Sequence, residues 1–132
     1  MRWNVVPQAL CAAYVVFLTS LLLTADPMGM IGAWGEAAEL LKRLMPIAHL
    51  LSFFVLTVLF WVARWPVPRW ILIASLIVYG GITEIVQGFL PPRTPDWMDW
   101  FQDVAGVMAG VGFCWGWSAL MKWLHSLSPQ ER

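Results

Sequence analysis

Six residues of this chain have the types and spacing to do chemistry: His49, Glu84, Gln87, Arg93, Asp99 and Asp103. Glu84 stands out because it lies well inside an apolar run, with Gln87 about one turn further along the same helical face. Pro91 and Pro92 break that run, and Arg93 follows. Asp96, Asp99 and Asp103 then lead into a second apolar run that opens with Gly106 and Gly110. A carboxylate in hydrocarbon costs several kcal/mol, so such residues ordinarily face a polar cavity and mark function. Glu84 has to be neutralised there by a proton, by Arg93, by a protonated His49 or by a bound cation. A carboxylate beside an imidazole can move protons or ligate a metal, and an arginine can take a phosphate or a carboxylate.

The elements that position these residues are apolar. The chain has 132 residues, 60% of them hydrophobic and 12% charged, a balance outside the range of soluble domains. One domain spanning residues 1–132 is expected, held together by helix packing in lipid. Net charge is zero and the basic residues form no run, which argues against nucleic acid as a partner. Cys11 and Cys114 fall inside apolar runs and read as small hydrophobes, with neither a disulfide nor a CxxC metal site suggested.

Four apolar runs are present: residues 5–24, 47–63, 70–90 and 104–123. Each is about 17–21 residues, long enough to cross a hydrocarbon core of about 30 Å, and none alternates every second residue as a strand would. The expected fold is an all-α membrane protein, a four-transmembrane-helix bundle. The first run exceeds the apolar stretch of a cleaved signal peptide and is read as a retained helix.

With both termini inside, Arg2, Arg64, Arg69, Lys122 and Arg132 lie on the cytoplasmic side and Lys42, Arg43 and Arg93 outside, which favours an N-in, C-in orientation. Trp3, Trp61, Trp65, Trp70 and Trp123 then mark one interface, and Trp34, Trp97 and Trp100 the other. In the first outer loop, residues 36–44 read as a short helix with Leu40, Leu41 and Leu44 on one side. It either lies along the membrane surface or leads into the second span, whose first turn Pro46 suits.

Depth and periodicity bring the polar residues together. His49 is about one turn inside the second span, Glu84 about 9 Å below the outer end of the third, and Asp99 and Asp103 at the outer start of the fourth. Gly80, Glu84 and Gln87 form one stripe; Asp99, Asp103, Gly106 and Gly110 form another. Small residues at steps of four let membrane helices approach closely, so the second stripe is expected to pack on a neighbour. The short Pro-Pro connection nominates the third helix, with Arg93 between the stripes. The plain alternative gives the aspartates to the helix N-terminus, with Asp99 as a cap, and makes Glu84 and Gln87 an interhelical clamp.

His49, the pattern Glu84-x-x-Gln87-x-Phe89-x-Pro91-x-Arg93, and then Asp99, Asp103, Gly106 and Gly110 resemble the VanZ-like family. These are small bacterial integral membrane proteins named for a teicoplanin-resistance accessory protein. The resemblance covers about residues 45–112 and departs at Met45-Pro46, where the family often has Asp-Lys, so no role needing that lysine carries over. It implies a multi-pass protein of the bacterial cytoplasmic (inner) membrane and supplies no biochemical mechanism.

Two classes of function follow. In the first, the chain is a non-enzymatic accessory protein of the cell envelope. Its outward-facing pocket of His49, Glu84, Gln87, Arg93, Asp99 and Asp103 binds an envelope lipid or lipid-linked precursor, a glycopeptide or a partner protein, with an effect on teicoplanin-type susceptibility. Trp97 and Trp100 would stack on sugar or lipid. In the second, it is a membrane-embedded hydrolase or transferase with Glu84 as general acid or base, and His49 with Asp99 and Asp103 as metal-holding or orienting groups. No Ser/His/Asp spacing or His-x-x-x-His motif is present, and outside that second reading no metal or cofactor is assigned. The apolar surface would permit a homo-oligomer.

Overall fold

The computed structural model describes residues 5–24, 35–90 and 96–127, with the side chains of residues 38, 41 and 42 left aside. Within them the chain forms four helices and no strand: α1 (Val5–Leu22), α2 (Glu36–Ala63), α3 (Arg69–Gln87) and α4 (Trp97–Leu127). All four are long and apolar enough to cross a membrane, as the four runs predict, α2 through its Arg43–Ala63 part.

The ends extend those runs or fall short of them. Residues 36–44 are the first turns of α2, the lead-in of the two alternatives, and not a separate element. Glu, Ala, Leu, Lys and Arg all favour helix there, and Pro46 removes one ladder hydrogen bond without breaking the rod. Gly35 precedes α2 at φ 61°, a conformation that glycine tolerates freely. At the far end of α2, Arg64 adopts the left-handed conformation of a helix cap. The third helix stops at Gln87 with Gly88 as its cap, three residues short of the apolar run. The fourth begins seven residues before its run, because Asp96 Oδ1 accepts the Met98 N–H at 2.9 Å and caps the helix. The cap is therefore Asp96, and Asp99 lies inside the first turn.

Packing centres on α2. Phe53 and Leu56 are fully buried with Leu18, Leu22, Leu76 and Val107 around them. Gly106 and Gly110 face α2, not α3 as the short connection suggested. A Cβ at Gly106 would overlap the Leu50 carbonyl, and one at Gly110 would stand 2.7 Å from Thr57 Cβ. Sequence adjacency ties α3 to α4 at one end, but close approach goes where the glycines are. Helix α3 meets α4 through Gly80, where a Cβ would come within 3.1 Å of Asp103 Oδ2, and through Trp100 Nε1, which donates to the Ile77 carbonyl at 3.1 Å. The first helix is tied on by Tyr14 OH to the Ser52 carbonyl (3.3 Å) and by the Thr19–Tyr79 hydroxyl pair (2.8 Å).

Candidate functional site

Three helices deliver the polar corner. Helix α2 brings His49, the last turn of α3 brings Glu84, and the first two turns of α4 bring Asp99 and Asp103. His49 Nδ1 lies 2.9 Å from Asp103 Oδ1, a buried hydrogen bond across α2 and α4. The other ring nitrogen, Nε2, faces Asp99 Oδ2 at 3.9 Å, beyond hydrogen-bond distance. Glu84 is 2% exposed and Asp103 1% exposed, so both carboxylates are out of contact with solvent. Glu84 Oε2 accepts the backbone N–H of Asp96 at 3.3 Å. Glu84 Oε1 and Asp103 Oδ2 are buried with no hydrogen-bond partner among the described residues.

The bare α-carbon of Gly80 makes this possible, since Asp103 occupies the space a side chain would fill. The two stripes therefore meet at Gly80, Glu84 and Asp103, with His49 beside them. One described member behaves otherwise. Gln87 is buried but turns to α1, where Nε2 donates to the Leu22 carbonyl at 2.9 Å. Arg93 lies outside the described residues, so the pairing expected of it with Glu84 does too. Glu84 is also nearer the helix end than the apolar run implied, because α3 ends one turn beyond it.

Asp96 is the residue that sequence reasoning passed over. It caps α4 with its side chain and holds Glu84 with its backbone, so one residue sets both the start of a helix and the aim of the carboxylate. Its signal is local: an aspartate two positions after the Pro-Arg-Thr connection and just before a helical run is a cap by type and place.

Glu84 also lines a half-open cleft of about 230 Å³ with Ile85, Gly88, Phe89 and Trp97. Phe89 is 80% exposed and Trp97 59%, so the cleft has apolar walls that open on the outside of the bundle and a carboxylate at its inner side. A larger cavity of about 730 Å³ lies at the opposite end, away from the carboxylates. It is lined by Arg64, Arg69, Trp61 and Trp117 among others, and the Arg69 guanidinium stacks 3.9 Å above the Trp61 ring. Its signal in the sequence is the pair Arg64 and Arg69, at the two ends of an Arg-Trp-Pro-Val-Pro-Arg connection, which were read above only for orientation.

Four apolar helices around a buried imidazole–carboxylate corner define a multi-pass membrane protein built to hold polar groups at one end of its bundle. The chain belongs to the VanZ/LLP1 family, whose profile matches residues 4–121. No curated protein and no solved structure matches it.

Proposed function

We propose that this chain is an accessory protein of the bacterial cell envelope that binds the polar head of a membrane amphiphile, a lipid or a lipid-linked envelope component, in the corner of His49, Glu84, Asp99 and Asp103. The observation that carries the reading is the position of Glu84. Its carboxylate belongs to the buried cluster and also lines an apolar cleft, with Oε1 unpartnered among the described residues. An unpaired buried oxygen is costly, and a hydroxyl or ammonium donor from a ligand relieves that cost. Ile85, Phe89 and Trp97 give a chain or ring an apolar surface beside it. In this reading the corner faces outward from the cytoplasmic membrane, both termini are inside, and residues 36–44 lie at the outer surface with Leu40 and Leu44 exposed toward headgroups.

The test is native mass spectrometry of the detergent-purified protein with extracted envelope lipids. Wild type retains a lipid or lipid-linked species. Glu84→Gln, which keeps shape but loses charge, retains it about tenfold less, a difference of about 1.4 kcal/mol. Equal retention by both proteins sinks the pocket. Retention of a glycopeptide or of a second protein in place of a lipid moves the reading to those ligands. The cellular counterpart is teicoplanin-type susceptibility with and without Glu84→Gln.

The hydrogen bond from His49 to Asp103 favours a second reading, a hydrolase or transferase, because a carboxylate on Nδ1 orients an imidazole for proton transfer through Nε2. Glu84 would then be the general acid or base. Conversion of the retained species during incubation, lost in Glu84→Gln, would select this reading over binding alone.

A further inference from the structure

Among the described residues, the carboxylates of the corner outnumber the cationic groups beside them. Glu84, Asp99 and Asp103 come together with a single imidazole, and among the described residues neither a lysine nor an arginine pairs with any of them. Two of the carboxylate oxygens, Glu84 Oε1 and Asp103 Oδ2, are buried and unpartnered there. His49 Nε2 and Asp99 Oδ2 face each other at 3.9 Å, too long for a hydrogen bond. One nitrogen and two oxygens, from His49, Glu84 and Asp103, lie within 4.8 Å of one another. Three donors on bonds of about 2.1 Å stand on average no more than about 3.6 Å apart, so the side chains have to close by up to about 1.2 Å.

We propose that His49, Glu84 and Asp103 form the seat of one divalent cation, with Asp99 at its rim. Each feature above is what such an ion would satisfy. It supplies positive charge to clustered carboxylates, occupies the buried oxygens, and takes an imidazole whose other nitrogen is in contact with a carboxylate. One imidazole with carboxylates suits Mn²⁺, Fe²⁺ or Zn²⁺ better than the all-oxygen preference of Mg²⁺ or Ca²⁺. Asp99 is only partly buried and stands where an ion would enter. The assignment deepens the binding reading and rests on it only for what the ion then holds. With a cation in place, an acidic corner can receive an anionic oxygen, such as that of a phosphate-bearing head, which its own carboxylates would repel.

The experiment uses the whole chain, purified without a histidine tag, stripped with EDTA, equilibrated with Mn²⁺ or Zn²⁺ and desalted. Elemental analysis should find about one ion per chain in wild type, as a single closed site requires. Loss of a group that merely orients a ligand costs about 10–100-fold in metal affinity, so Glu84→Gln and Asp103→Asn should each lose at least that much. Thermal melting keeps folding apart from binding. In EDTA, Glu84→Gln should melt close to wild type, and added ion should raise the midpoint of wild type alone. Folded wild type that retains neither ion overturns the proposal, as does equal retention by both variants. The amphiphile is followed in the same samples. Its retention without any ion sinks the cation seat and leaves the binding reading standing, whereas a bound ion with no retained amphiphile does the reverse.

Discussion

Asp96 and Asp99 sit three residues apart at the start of one helix and do different work. Asp96 Oδ1 accepts the Met98 N–H and its backbone N–H reaches Glu84, whereas the Asp99 side chain looks across to His49. Asp96→Ala should therefore lower stability by about 1 kcal/mol, the usual cost of a lost cap, and loosen Glu84 as well. Asp99→Ala should leave thermal stability nearly unchanged. Melting of the detergent-solubilised variants checks both, and equal losses would return Asp99 to the capping role. The convergence of His49, Glu84 and Asp103 was legible in the sequence, because steps of three and four residues on a helix fix a face. The direction of Gln87 was not. Position on a face limits a side chain to a broad arc, and the carbonyl it chooses belongs to Leu22, 65 residues away on a helix whose placement no local pattern gives.

Helices were legible as apolar runs, and their ends were less so. Hydropathy marks where a chain is apolar, while a helix continues as far as caps and propensity allow. That is why α2 runs back through Pro46 to Glu36 and α4 starts at Trp97. Close packing follows the same logic at the glycines. Gly106 and Gly110 are buried against α2, while Gly112 on the same helix has nothing within 4 Å of an added Cβ. Gly106→Ala and Gly110→Ala should each destabilise the bundle by about 1–3 kcal/mol through overpacking. Gly112→Ala should be neutral or stabilising by up to about 1 kcal/mol, from helix propensity alone. Thermal melts of the three variants give the comparison. Equal tolerance of all three would mean that α4 does not lie against α2 as described.

At the scale of the molecule, the corner lies on the Gly35 side of the bundle, and the Trp-Pro-Val-Pro connection lies at the other end. With Cys11 and Cys114 replaced by alanine, a cysteine at Gly35 should react with an impermeant maleimide in intact cells and one at Val67 should not. The reverse pattern would place the corner on the cytoplasmic face. The single layer of helices around α2 also explains what sequence alone withheld. A run of apolar residues states that a segment is in the membrane, but which run becomes the hub depends on the glycines and aromatics of all four together.

The length of α4 has a mechanical consequence. Its 31 residues make a rod of about 46 Å at 1.5 Å per residue, against a hydrocarbon layer of about 30 Å. At the common tilt of about 20°, roughly a third of the rod stands beyond that layer or leans to stay within it. No proline interrupts it, and Gly106 and Gly110 clamp its middle to α2. In a thinner bilayer the rod would lean further about that clamp, and the end bearing Asp99 and Asp103 would swing against His49. Seen as a lever, α4 pivots on two glycines, and its short arm carries both aspartates of the corner.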